Sequence, residues 1–208
     1  MAGASTVRAV LVDADGVLQV NADDWLDRLR AFVAPDDADA FVDDLFDAEQ
    51  PALRGERRFA DVVAEVCARW GLAGREDELV DHWRHALVQP EVVAVVRALR
   101  SSGLPCHLAT NQNDVRAAYL LDDLGYADLF DSAFCSCDLG ATKEDPAFLR
   151  TVAERLGLAV GELLLVDDSE KHVESAHAAG ARAVLWSTED SVGELWQRLV
   201  EEGVRRAG

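Results

Sequence analysis

Hydrophobic positions along the chain follow three rhythms. Val10-Leu11-Val12 is a continuous apolar run that ends in Asp13-Ala14-Asp15-Gly16, which predicts a buried strand over residues 7–13 feeding a loop. From about residue 19 to about 90 the spacing turns helical. Trp25, Leu26, Leu29, Phe32 and Val33 form one face, and Phe41, Val42, Leu45 and Phe46 a second. Phe59, Val62, Val63, Val66, Cys67 and Trp70 form a third, and Leu79, Val80, Trp83 and Leu87 a fourth. Breaks at Pro35-Asp36, at Pro51 with Gly55, and at Gly71 to Gly74 divide four helices, so this stretch reads as a small antiparallel bundle without strands.

After Pro90 helical and strand-like segments alternate. Helices are expected at Val92 to Leu99, at 114–123, from Pro146 to Leu156, from Glu170 to Ala179 and at 191–202. Strands are expected at Cys106 to Ala109, Ala133 to Cys135, Leu163 to Val166 and Ala181 to Leu185. Such alternation means an α/β fold, a Rossmann-like doubly wound parallel sheet with helices on both faces. The first strand belongs to that sheet although the bundle separates it from its partners. Residues 1–18 and 91–208 are therefore expected to form the core domain, and residues 19–90 a four-helix domain inserted directly after the Asp13–Gly16 loop, where it can act as a lid.

Composition narrows the class. The chain has 208 residues, half of them apolar, enough for a packed core with one insertion. No apolar run is long enough to span a bilayer, and Met1 to Thr6 lack the features of a signal peptide. With four cysteines in no metal or redox spacing, a cytoplasmic protein with plain thiols is expected. The net charge of −19 disfavours nucleic acid and anionic membrane surfaces as partners.

The candidate chemistry lies at strand ends. Alternation along a strand would place Asp13 and Asp15 on one face, where two carboxylates need a cation, a proton or both. Thr110-Asn111 precede a helix, which makes either an anion site or an ordinary cap. Lys143 is one of only two lysines, beside eighteen arginines, and stands in a loop before Pro146; it is either a solvated charge or part of the site. Asp167-Asp168-Ser169 end a buried strand. One of these acids could cap a helix, but two of them in a chain with Asp13 and Asp15 suit a hard cation such as Mg2+.

Together Asp13-Ala14-Asp15-Gly16-Val17, Thr110-Asn111, Lys143 with Pro146, Asp167-Asp168-Ser169 and Gly180 resemble the haloacid dehalogenase superfamily of phosphohydrolases, with a helical insertion where that family places its first type of cap. The resemblance implies a Mg2+-dependent phosphatase of a small phosphorylated metabolite, working as a monomer or homodimer. It gives Asp13 the role of nucleophile that becomes an aspartyl-phosphate, and Asp15 that of acid and base. Asp13, the Asp15 carbonyl and Asp168 would bind Mg2+, with Asp167 acting through a water or orienting the site. Thr110, the Asn111 N–H and Lys143 would hold the phosphoryl oxygens.

Differences within the family sharpen the expectation. The dehalogenase branch lacks an acid at the position of Asp15, so Asp15 speaks against dehalogenation. The phosphonate-cleaving branch needs a cap lysine, and both lysines lie outside the insertion. His172 stands where many relatives carry asparagine or aspartate. Arg54, Arg57 and Arg58 lie where a cap loop faces the site, as contacts to a second anionic group or as surface charges. The alternatives are a phosphosugar mutase and a non-catalytic binding module on the same scaffold. A calcium loop is excluded, because the glycine stands fourth instead of sixth and Asp24 replaces the bidentate glutamate.

Overall fold

The computed structural model describes residues 6–205. Most of the N-terminal stretch read for a signal, and the ends of the span expected for the core domain, lie outside them.

Five parallel strands form the sheet: β1 (Ala9–Val12), β4 (Cys106–Thr110), β5 (Ser132–Cys135), β6 (Leu163–Asp167) and β7 (Arg182–Leu185). Their order is β5-β4-β1-β6-β7, with β1 at the centre and the winding direction reversing about it. Alternate residues serve opposite layers. Val10, Val12, Leu108, Leu164 and Val166 enter one apolar cluster, while Ala9, Leu11, Ala109, Leu163 and Leu165 enter the other. Being buried on both faces explains the unbroken apolar runs. The helices α5 (Pro90–Ser101) and α11 (Val192–Glu201) cover the first layer, and α9 (Pro146–Leu156) and α10 (Glu170–Ala179) the second.

Residues between β1 and α5 form α1 (Trp25–Arg30), α2 (Ala38–Leu53), α3 (Phe59–Arg69) and α4 (Glu76–His82). Their apolar faces meet in a third cluster built on Leu29, Phe41, Leu45, Phe59, Val63, Val66 and Leu79. Two details differ from the sequence expectation. Helix α2 continues two residues past Pro51 before Gly55, at φ +66°, turns the chain. Leu87 leaves the fourth helical face and is exposed in β3 (Leu87–Val88), which pairs antiparallel with β2 (Gln19–Val20). This ribbon joins the two crossings between sheet and bundle, so the stretch is not free of strands. Each strand is two residues long, too short to register as a period.

The bundle rests on the sheet's carboxyl edge through specific contacts. Asp114, the first residue of α6 (Asp114–Ala118), accepts from the Phe59 N–H at 2.8 Å. A side chain at Gly55 would place its Cβ 2.0 Å from the Cys137 carbonyl. Buried Glu49 of α2 accepts from Asn113 Nδ2 at 2.6 Å and from Trp83 Nε1 at 3.0 Å. Among the described residues, no helix is long and apolar enough to cross a membrane.

Candidate active site

The register of the sheet gathers the polar loops. Val12 lies beside Leu108 on one side and Val166 on the other, so Asp13, Thr110 and Asp167 come to the same edge. That edge, at the reversal of winding, is where open α/β sheets bind ligands.

Lys143 is the centre of the site. Its ammonium lies 2.7 Å from Asp13 Oδ1 and 2.7 Å from Asp167 Oδ2, and all three residues are buried. It is thus no solvated loop charge. Its backbone N–H donates to Asn111 Oδ1 at 2.9 Å, which ties the loop after β4 to the lysine loop. Burial, with Asp167 beside it, holds the Asp13 carboxyl well above the usual range against the pull of Lys143. Burial likewise opposes the charge on Lys143, but the two carboxylates outweigh it and raise its affinity for the proton.

Asp167 uses its second oxygen on the His172 ring, at 2.8 Å, and on the Ser169 N–H, at 3.0 Å. The other His172 nitrogen meets Glu144 at 3.1 Å, and Glu144 accepts from Asn111 Nδ2 at 3.1 Å. Burial pushes the imidazole down, yet the two carboxylates prevail and lift it to about 9. The His172 ring thus bridges Asp167 and Glu144.

Asp15 lies beyond the strand, as does Asp13. The strand ends at Val12, and the next residues wind into a turn in which the Leu18 and Gln19 N–H groups donate to the Ala14 carbonyl. Alternation stops with the strand, and the Asp15 carboxylate, near enough to Asp13 to oppose its ionisation, is held by groups at the crossings. It accepts from Arg116 Nη2 at 2.6 Å, Arg116 Nε at 3.3 Å, Gln112 Nε2 at 2.7 Å and Gln19 Nε2 at 2.9 Å. Burial alone would raise its pKa, but Arg116 with the two amides holds the carboxyl below the ordinary range. Buried Thr110 joins this group, its hydroxyl accepting from Gln112 Nε2 at 3.1 Å.

The fit to a divalent cation rests on this chain's own donors. Ligand atoms of Asp13, Asp167 and His172 lie within 4.8 Å of one another. Asp168 reaches the loop from the other side: a Cβ on Gly16 would fall 2.0 Å from its Oδ2. Both oxygens of Asp167 are taken, by Lys143 and by His172 with Ser169, whereas Asp13 meets Lys143 through Oδ1 alone, so Asp13, Asp168 and backbone carbonyls are the hard oxygen donors suited to Mg2+.

Arg54, Arg57 and Arg58 are paired with acids. Arg54 meets Glu56 at 2.8 Å, Arg57 meets Glu65 at 2.6 Å and Arg58 stands 3.9 Å from Asp114. The four thiols are free, and burial pushes Cys106, Cys135 and Cys137 up to about 12. Sequence reasoning missed Arg116, Gln112, Gln19, Glu144 and Glu49. Only Glu144 had a local signal, its place next to Lys143.

A mononucleotide-fold hydrolase with an aspartate–lysine–aspartate centre is the class these features define. The family model for haloacid dehalogenase-like hydrolases matches residues 7–180, and the chain belongs to that family. It is 31% identical over 197 residues to a phosphoglycolate phosphatase of Rhodospirillum rubrum, covering 86% of this chain and 79% of that protein. A phosphoglycolate phosphatase of Yersinia pseudotuberculosis is 35% identical over 140 residues, and the match spans only 60% of each chain. In fold the chain is similar to a HAD-family enzyme of Bacteroides thetaiotaomicron, with TM-score 0.79 and 16% identity, covering 92% of this chain and 99% of that one. A structure of that enzyme in complex with magnesium and inorganic phosphate gives TM-score 0.76 at 17% identity, covering 91% and 99%. A dehalogenase with an intermediate complex shares the fold at TM-score 0.70 and 19% identity, covering 93% and 97%.

Proposed function

We propose that this chain is a Mg2+-dependent phosphatase of a small phosphorylated metabolite, acting through an aspartyl-phosphate on Asp13. The observation that carries the reading is the buried Asp13 at the sheet's carboxyl edge, in contact with a lysine that it shares with Asp167. A carboxylate cannot approach an anionic phosphate without nearby positive charge, and Lys143 supplies it in fixed position. Asp13 Oδ attacks phosphorus, the bond from phosphorus to the ester oxygen breaks, and that oxygen takes a proton passed on by Asp15, which requires substrate binding to loosen the Arg116 pair that otherwise keeps the carboxyl ionised. Water then attacks the aspartyl-phosphate, gives its proton to Asp15 and frees Asp13. Thr110, the Asn111 N–H and Lys143 hold the phosphoryl oxygens. Asp13, Asp168 and the Asp15 carbonyl would hold Mg2+, which supplies charge neutralisation when bound, while Asp167 orients Lys143 and His172.

Residues 19–90 are taken as the cap over a core of residues 1–18 and 91–208, and the four free thiols suit a reducing cytoplasm. The relatives' name makes 2-phosphoglycolate the first substrate to try. Binding of its carboxylate by Arg54, Arg57 or Arg58 would exchange an exposed ion pair, which screening by water keeps weak.

A panel of phosphorylated metabolites including 2-phosphoglycolate tests the reading, assayed for free phosphate with Mg2+ and with a chelator. Release that the chelator abolishes and Mg2+ restores is the expected result. No release from any ester would overturn it, and phosphate moved between sugar hydroxyls would make the chain a mutase.

Gly16 offers a second check. At φ +80°, and with Asp168 against it, Gly16→Ala both strains the turn and pushes the Asp168 carboxylate aside. Affinity for Mg2+, read by isothermal titration, is expected to fall about 10–100-fold, the range for displaced metal-site support. Unchanged affinity would remove Asp168 from the metal site.

A further inference from the structure

Arg116 is buried, and each of its five N–H donors has a partner. Nη2 and Nε hold the two oxygens of Asp15, at 2.6 and 3.3 Å. Nη2 also donates to Asn21 Oδ1 at 3.1 Å, while Nη1 donates to the carbonyls of Trp83, at 2.8 Å, and His85, at 3.3 Å. Asn21 follows β2 on the way out to the bundle, and Trp83 and His85 lie between α4 and β3 on the way back. One core side chain therefore grips both crossings and the Asp15 carboxylate together. A guanidinium is a planar fork with fixed donor directions, so it cannot follow a shift of either crossing without changing its hold on Asp15.

The neighbours reinforce this arrangement. The Asn113 side chain caps α6 by accepting from the Arg116 N–H at 2.9 Å, and its amide holds Glu49 of the bundle. Gln19, which contacts Asp15, accepts from the Tyr126 hydroxyl at 2.9 Å and is itself fully buried. Asp15 is thus aimed by groups anchored in both the core and the crossings, although its own side chain is 40% exposed.

We infer that Arg116 is a positioning residue that clamps the two crossings and aims Asp15, so that the seating of the bundle sets the direction of the acid–base carboxylate. The role rests on the phosphatase reading as far as Asp15 serves as proton donor; the clamp itself does not. Esters with poor leaving groups need a well-aimed proton donor, whereas an aryl ester departs without one.

The test compares wild type with Arg116→Gln, Arg116→Lys and Asp15→Asn. Values of kcat/KM, which report the steps up to formation of the aspartyl-phosphate, are measured on p-nitrophenyl phosphate and on the best alkyl phosphate. For Arg116→Gln the alkyl ester is expected to lose roughly 10–100-fold and the aryl ester only about twofold, the size of a misaimed general acid. Arg116→Lys keeps the charge but not the fork, so it should recover stability without recovering the alkyl rate. Adding Arg116→Gln to Asp15→Asn should cost nothing further, since both act through one group. Equal losses on the two esters, or additive losses in the double variant, overturn the positioning role.

Hydrogen exchange judges the clamp without any turnover. Amides of residues 19–21 and 83–88 should exchange roughly tenfold faster in Arg116→Gln, or in Asn21→Ala if that variant does not fold. Unchanged exchange overturns the clamp. A wild type that hydrolyses neither ester overturns the phosphatase reading alone.

Discussion

Asp13→Asn is expected to lower phosphate release from the best ester by at least about a thousandfold, the scale on which loss of a nucleophile is felt. Asparagine matches aspartate in shape, so the pocket keeps its packing, but an amide does not form the mixed anhydride with phosphorus. The variant should remain folded. Lys143 keeps Asp167 at 2.7 Å, and the group removed is a carboxylate that burial already holds above its ordinary range. Its melting temperature should therefore equal or exceed that of wild type, the trade of stability for activity expected where a buried charge serves catalysis. Phosphate release is the primary measurement, and acid quenching during turnover the second: wild type should carry protein-bound phosphate that hydroxylamine removes, and the variant none. Asp13→Ala guards against deamidation restoring aspartate. Release near the wild-type rate in both variants would sink Asp13 as the nucleophile.

The sheet was legible because each of its strands is an apolar run stopped by a turn or a polar pair, and the helices between them have one apolar stripe. Asp13, Lys143 and Asp167 could be singled out one by one, since buried strands ending in acids are unusual and lysine is rare in this chain. Their contact could not, because it depends on the register that sets Val12 beside Val166. Strand alternation could not place Asp15, because the residues after Val12 are wound into a loop by the Ala14 carbonyl. Arg116 left no trace at all. On its helix it is one of eighteen arginines, and its partners come from Asp15, Asn21, Trp83 and His85, up to 101 positions away. The same holds for Glu49, which as a sequence position is another acid on an acidic helix and in the fold is buried against Asn113 and Trp83.

Replacing Lys143 tests the electrostatics that make this centre possible. Methionine approximates the length and volume of the lysine stem, so Lys143→Met removes the charge with little change in packing. Asp13 and Asp167 then face each other with no ammonium between them, each within 2.7 Å of the lost nitrogen. Breaking a buried ion pair from one side costs about 3–5 kcal/mol. For a domain of this size that corresponds to a drop in melting temperature of roughly 6–20 °C. The deficit should depend on pH in a definite sense. Without the lysine, the folded-state pKa of Asp13, which burial already raises, climbs further above its unfolded value, so the variant gains stability by taking up a proton there as the pH falls, while His172 still holds Asp167. Its gap to wild type is therefore widest near pH 8 and narrows toward pH 5. Mg2+ should narrow it too, because a divalent cation replaces the missing positive charge, and the metal should raise the melting temperature more in the variant than in wild type. Phosphate release should nonetheless stay low with Mg2+ present, since the cation cannot also take the place of an ammonium aimed at the phosphoryl oxygens. A variant as stable as wild type at pH 8 without metal would mean that Asp13 and Asp167 do not rely on Lys143 for their charge. Phosphate release as fast as in wild type would take the lysine out of the catalytic centre.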